Sequence, residues 1–117
     1  MLKAIIFDFN GVILNDEPLH FAAMSDTVAD FGIHLTREAY WEKYLPFDDT
    51  QCLESICRDH SFSLSVKERE EALSRKSHYY QELLRDGFPL LPGASHFIKA
   101  AAEHYPLALA SGAKREE

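Results

Sequence analysis

A chain of 117 residues, 46% apolar and 26% charged with five Gly and five Pro, has the make-up of a globular protein of one or two small domains, which excludes the disordered and fibrous classes. Its formal net charge of -7 argues against a nucleic-acid partner, since neutralising phosphates takes a basic face. No apolar run approaches the roughly 20 residues of a membrane helix and no signal peptide is evident, so a cytoplasmic protein without a membrane partner is expected.

In chain order, residues 3 to 8 form a largely continuous apolar strand ending in Asp8, the pattern of a parallel sheet covered on both faces. The Asn10-Gly11 pair that follows admits two readings. It is a strong signal for a two-residue β-hairpin, or it is the loop after a buried strand whose last acid, Asp8, is a nucleophile. The continuous apolar pattern, in place of an alternating one, favours the second.

Asp16 is expected to cap a helix with Pro18 in its first turn, Phe21, Met24, Val28 and Phe31 on one stripe, and Gly32 as its stop. Thr36 starts a helix to about Tyr44, and Asp49 or Thr50 starts another through Leu53, Ile56 and Cys57. Ser65-Val66-Lys67-Glu68 has the form of a capping box opening a long helix that ends at Gly87. Cys52 and Cys57 fall within one helical segment, where their side chains diverge, and read as two half-buried thiols. The six His, at 20, 34, 60, 78, 96 and 104, lack the spacing of a zinc site.

After Gly87 the texture changes. Pro89 and Pro92-Gly93 form a linker, Ala94 to His104 an amphipathic helix, and Pro106 to Ala110 a second short apolar strand. Strand, helix and strand make a βαβ crossover, so the expected organisation is a partial α/β core of parallel strands, residues 1-14 and 88-117, with an all-α domain, residues 15-87, inserted after the first strand. Ligands of such sheets bind outside the carboxyl ends of the strands. Those ends carry Asp8 and Ser111.

Asp8-Phe9-Asn10-Gly11-Val12, its extension Asp16-Glu17-Pro18-Leu19-His20, the linker Leu91-Pro92-Gly93 and Leu109-Ala110-Ser111-Gly112 together resemble, in order and spacing, the haloacid dehalogenase superfamily. The resemblance is to its α-capped group of β-phosphoglucomutases and phosphoglycolate phosphatase-like enzymes, and covers nearly the whole chain. It implies a Rossmann-like core with a helical cap and Mg²⁺-dependent hydrolysis of a small phosphorylated metabolite. Asp8 is then the nucleophile that forms an aspartyl-phosphate and binds Mg²⁺, and Asn10 supplies a backbone carbonyl to the metal. The Ser111 hydroxyl and the Gly112 N–H hold the transferring phosphate. Lys76 resembles a cap lysine that reaches the active site, His20 matches a hinge-side position, and Tyr44 to Gln51 resembles the loop that reads the leaving group.

Two departures accompany the resemblance. The phosphatases and mutases of the group carry a second Asp two residues after the nucleophile, which protonates the leaving oxygen, whereas this chain has Asn10. An amide has no proton to exchange, and losing a positioned acid typically costs about 10²- to 10⁴-fold in rate. The group's third and fourth motifs, a lysine and the acids completing the Mg²⁺ site, lie beyond its second strand, so the chain is read as the first part of a longer protein, inactive alone. A non-catalytic phosphate-binding or regulatory relative and a β-phosphoglucomutase-like phosphomutase remain as alternatives.

Overall fold

The structure, a computed structural model, describes residues 1–113 and is a mixed α/β fold dividing into two compact units, Met1–Pro18 with Arg85–Glu117, and Leu19–Leu84. In the first unit, β1 (Ile5–Phe7) and β2 (Leu107–Leu109) pair in parallel, with Ile5 opposite Leu107, Ile6 opposite Ala108 and Phe7 opposite Leu109. The Ile5 N–H donates to Pro106 O at 3.1 Å and the Ala110 N–H to Phe7 O at 2.8 Å, so the ladder fades within one residue of each end. Pro106 has no N–H to give, which sets the start of β2.

No hairpin forms at Asn10-Gly11. The Phe9 carbonyl collects the N–H groups of Val12, Ile13 and Leu14 at 3.2, 2.8 and 3.1 Å, and the Gly11 N–H donates to Leu14 O at 2.7 Å. This tight loop needs φ 75° at Gly11, a left-handed value that only glycine adopts freely. Leu14, buried, bridges antiparallel to Leu90, while Asn15 and Leu91 complete the exchange with Pro89 and Ile13. The helix that precedes β2 is short, Ala94–Ala102, and its Phe97 meets Phe7 edge-on at 6.1 Å.

The second unit is helical. α1 (Glu17–Ala29) runs into it, followed by α2 (Arg37–Ala39), a π-helical turn (Tyr40–Tyr44), α3 (Asp49–Asp59) and α4 (Val66–Arg85); the Ala94–Ala102 helix of the first unit is then α5. Met24 and Val28 of α1 enter a core with Ile33, Leu35, Leu53, Ile56 and Ala72, and Phe21 and Phe31 pack against it, so the α1 stripe buries as a stripe should. Burying a Leu or Ile side chain of this kind stabilises by about 1.5–3 kcal/mol. Both cysteines of α3 are thiols and buried, more so than the half-burial expected, because they flank Leu53 and Ile56 on the core face; burial pushes the Cys57 thiol pKa up.

Caps mark the helix starts. Thr36 accepts from the Ala39 N–H at 3.2 Å, and Ser65 and Glu68 form the reciprocal capping box, Ser65 N to Glu68 Oε2 at 2.7 Å and Glu68 N to Ser65 Oγ at 3.2 Å. The Ser65 N–H holds the Glu68 carboxyl below its usual range. α3 starts at Asp49 as expected, capped by Asp48, whose extended backbone lets its carboxylate accept from the Gln51 N–H at 2.8 Å. One expectation needs correction. The segment from Thr36 to Tyr44 is not one α-helix, since Leu45 N–H donates to Tyr40 O at 2.9 Å, five residues back. The wider turn occurs where Tyr40 and Tyr44 are both buried and Trp41 packs on Tyr40 and Phe21.

Tyr44 donates its hydroxyl to Asp59 Oδ2 at 2.7 Å, and burial, the bond itself and the Asp59 charge together push its pKa up to about 12. A phenol raised in the folded state contributes stability that is complete below its unfolded pKa of about 10 and is lost as pH climbs through the folded value. Tyr44→Phe is therefore expected to remove the most alkaline step from the phenolate absorbance titration and to flatten the loss of stability between pH ~10 and ~12. Loss of an ordinary step near pH 10 instead would refute the assigned bond.

Candidate active site

Parallel pairing puts the residues after β1 and β2 at the same end of the sheet. Asp8 directly follows β1; it is exposed, and its Oδ1 accepts from the Phe9 N–H at 2.7 Å, which fixes one carboxylate oxygen against the backbone. Asn10 lies in the loop held by the Phe9 carbonyl. Its Nδ2 donates to Asp16 Oδ2 at 2.6 Å, and its Oδ1 is approached by the Ser111 hydroxyl at 3.5 Å, the long limit of a hydrogen bond. Ser111 Oγ in turn accepts from the Ala113 N–H at 3.1 Å. Asp16, only 1% exposed, directly precedes α1. A hydrogen-bonded chain thus runs from exposed Ser111 through Asn10 to a buried carboxylate. Gly112 is exposed, and a Cβ there would meet nothing within 4 Å.

The second unit holds the other two sequence-predicted residues. Lys76, on α4, is wholly buried, and its Nζ lies 2.7 Å from His20 Nδ1 and 2.8 Å from Asp49 Oδ2. An ammonium has only donors, so Nδ1 of His20 is the acceptor in this contact. His20 also stacks on Tyr80, centroids 4.3 Å apart and 17° from parallel, and Lys76 Nζ sits 5.2 Å from the same ring. The structure therefore brings Asn10 and Ser111 together in one unit, and His20 and Lys76 in the other.

Sequence reasoning missed two participants. Asp16 was assigned to helix capping alone, and Asp49 to the start of α3. The available signal for Asp16 was Asn10 itself, an amide that calls for a nearby acceptor once it is no longer at the surface. No helix among the described residues is long and apolar enough to cross a membrane, and no group of three or more His, Cys, Asp or Glu among them is placed to hold a metal ion.

The family model for haloacid dehalogenase-like hydrolases matches residues 2–117. The chain belongs to this family. Solved structures agree on the fold. CbbY from Rhodobacter sphaeroides, as an aspartate-to-asparagine mutant in complex with xylulose-1,5-bisphosphate, is 25% identical with a TM-score of 0.79, over 99% of this chain and 53% of that one. A β-phosphoglucomutase from Clostridium difficile is 24% identical with a TM-score of 0.80, over 99% and 54%. A predicted phosphoglycolate phosphatase from Haemophilus somnus is 21% identical with a TM-score of 0.82, over 98% and 53%. The chain spans about half the length of these haloacid dehalogenase-fold proteins.

Proposed function

We propose that this chain carries the nucleophile and phosphate-binding half of a Mg²⁺-dependent phosphatase-like hydrolase of the cytoplasm, acting on a small phosphorylated metabolite through an aspartyl-phosphate on Asp8. The observation that carries the reading is the placement of Asp8 and Ser111 after two parallel strands, with Asn10 in hydrogen-bond reach of Ser111. Residues 1-14 and 88-117 are read as the core and 15-87 as the cap.

In this mechanism Asp8 attacks phosphorus, forming an acyl phosphate while the bond to the leaving oxygen breaks. Ser111 Oγ–H and the Gly112 N–H hold the phosphoryl oxygens, which offsets the repulsion between a carboxylate and a phosphate dianion. Hard oxygen donors suit Mg²⁺, which takes one or two carboxylates plus phosphate and water, so Asp8 and the Asn10 carbonyl are donors of the right kind but an incomplete set. When bound, the ion supplies charge neutralisation at the transferring phosphoryl group. Completing that set requires groups other than these, so the 117 residues alone are expected to be inactive. Lys76 and His20 are assigned to substrate binding; the Asp49 carboxylate neutralises the Lys76 charge in the absence of substrate.

A second reading has its own support. Asn10 cannot donate a proton to a leaving alkoxide, and its amide is already committed to Asp16. A phosphate-binding or regulatory relative without turnover fits that observation, whereas a β-phosphoglucomutase-like activity depends most on the missing acid. The two are separated in the longer protein by comparing leaving groups. Nitrophenolate leaves without proton assistance, and a sugar alkoxide does not. Asn10→Asp is expected to raise turnover of alkyl phosphates by about 10²-fold or more and that of aryl phosphates less. Equal acceleration of both would show that leaving-group protonation is not what the amide costs, and no aryl turnover before or after the change would favour the binder.

A further inference from the structure

Asp16 has no role in the chemistry above, yet it is among the most deeply buried polar side chains of the described residues, and its Oδ2 receives Asn10 Nδ2–H at 2.6 Å. An amide has one end that donates and one that accepts. Turned about, Asn10 would set oxygen against oxygen, so the contact with Asp16 decides which way the amide points. The oxygen then faces Ser111 Oγ, 3.5 Å away. We propose that Asp16 is a positioning residue that locks Asn10 with its carbonyl oxygen toward Ser111, the two forming a charge-exchanged pair in which the carboxyl lies one layer beneath the phosphate site.

The functional meaning of the pair rests on the phosphatase reading; the pair itself does not. Its chemical consequence is specific. Asn10→Asp alone sets two carboxyls at hydrogen-bond distance, and two such groups do not both ionise, so they share a proton. Exchanging both residues, Asn10→Asp with Asp16→Asn, keeps the bond with donor and acceptor reversed and leaves one ordinary carboxyl at position 10. Asp16→Asn alone leaves two amides and frees Asn10 to point either way, so that an N–H as well as an oxygen is presented to Ser111.

The test is NMR on the 117-residue chain. The side-chain amide of Asn10, assigned by its loss in Asn10→Ser, is expected to show one proton shifted strongly downfield by the carboxylate, and Asp16→Asn is expected to remove that shift. An Asn10 amide that Asp16→Asn leaves unmoved would overturn the proposal. Should Asp16→Asn alone unfold the chain, the exchanged variant decides the matter, since the amide introduced at position 16 is then expected to carry the downfield proton and its absence would overturn the proposal. These readouts need no turnover, so absence of phosphatase activity from a chain that completes the metal site would refute the reading of function and leave the pair standing. In an active longer protein, the upper limb of the pH–rate profile of Asn10→Asp should move down on adding Asp16→Asn, a change that a purely structural bond would not cause.

Discussion

On the phosphatase reading proposed above, Asp8→Asn is expected to abolish phosphate-ester turnover by a chain that completes the metal site, with a loss of roughly 10⁴-fold or more. A carboxamide forms no acyl phosphate, and it would also withdraw a negative donor from the proposed Mg²⁺ site, so both the nucleophile and part of the charge neutralisation would disappear together. Stability should stay within about 0.5 kcal/mol, because Asp8 is exposed and its contact with the Phe9 N–H needs only an oxygen, which Asn retains. The decisive measurement is acid-trapped phosphoenzyme in a single turnover, with the thermal midpoint as control. Phosphoenzyme that survives in Asp8→Asn would place the nucleophile elsewhere.

Lys76→Ala is expected to lower the stability of the helical unit by about 2–4 kcal/mol, the larger of the stability effects considered for this chain. The substitution empties a site with no solvent exposure and strips the donor from both His20 and Asp49. Asp49 keeps a side-chain exposure of 24% and regains water, which holds the cost below that of a fully enclosed pair. Lys76→Met, closer in volume, should cost less, and Lys76→Met with Asp49→Leu should lie nearer the parent, since replacing both partners leaves no uncompensated charge. Urea midpoints at constant slope measure each step. A Lys76→Ala midpoint equal to the parent's would mean that the buried pair contributes nothing.

The contrast between these two lysine and aspartate sites shows what a sequence displays and what it hides. β1 was legible because Ala4-Ile5-Ile6-Phe7 is apolar without alternation, and the start of α4 because Ser65 and Glu68 stand at the reciprocal spacing of a capping box. Such signals are local, written within a few residues of the feature they specify. Lys76 was legible as a binding candidate only through family resemblance. On a helix its charge reads as solvated, and its burial depends on partners 27 and 56 residues away along the chain. The π-helical turn was invisible because its hydrogen-bond shift answers to where Tyr40 and Tyr44 pack. Asp16 was hidden for a related reason, since an acid before a helix already has a satisfactory explanation and does not prompt a search for a second.

The loop at Asn10-Gly11 also bears on how the molecule ages. Asn-Gly sequences decay when the glycine nitrogen, unhindered by a side chain, attacks the asparagine amide carbon, expels ammonia as a cyclic imide forms, and leaves aspartate or isoaspartate after water opens the ring. In this fold the attacking nitrogen is occupied, its N–H held by Leu14 O at 2.7 Å, and the amide it would attack is moored to Asp16. The folded loop is therefore a preservative of its own sequence. A chain that stays unfolded loses that protection, and the residue it rewrites is position 10, where decay to aspartate installs a carboxylic acid at the candidate catalytic site. Storage history and chemical competence are consequently linked in this protein through two hydrogen bonds.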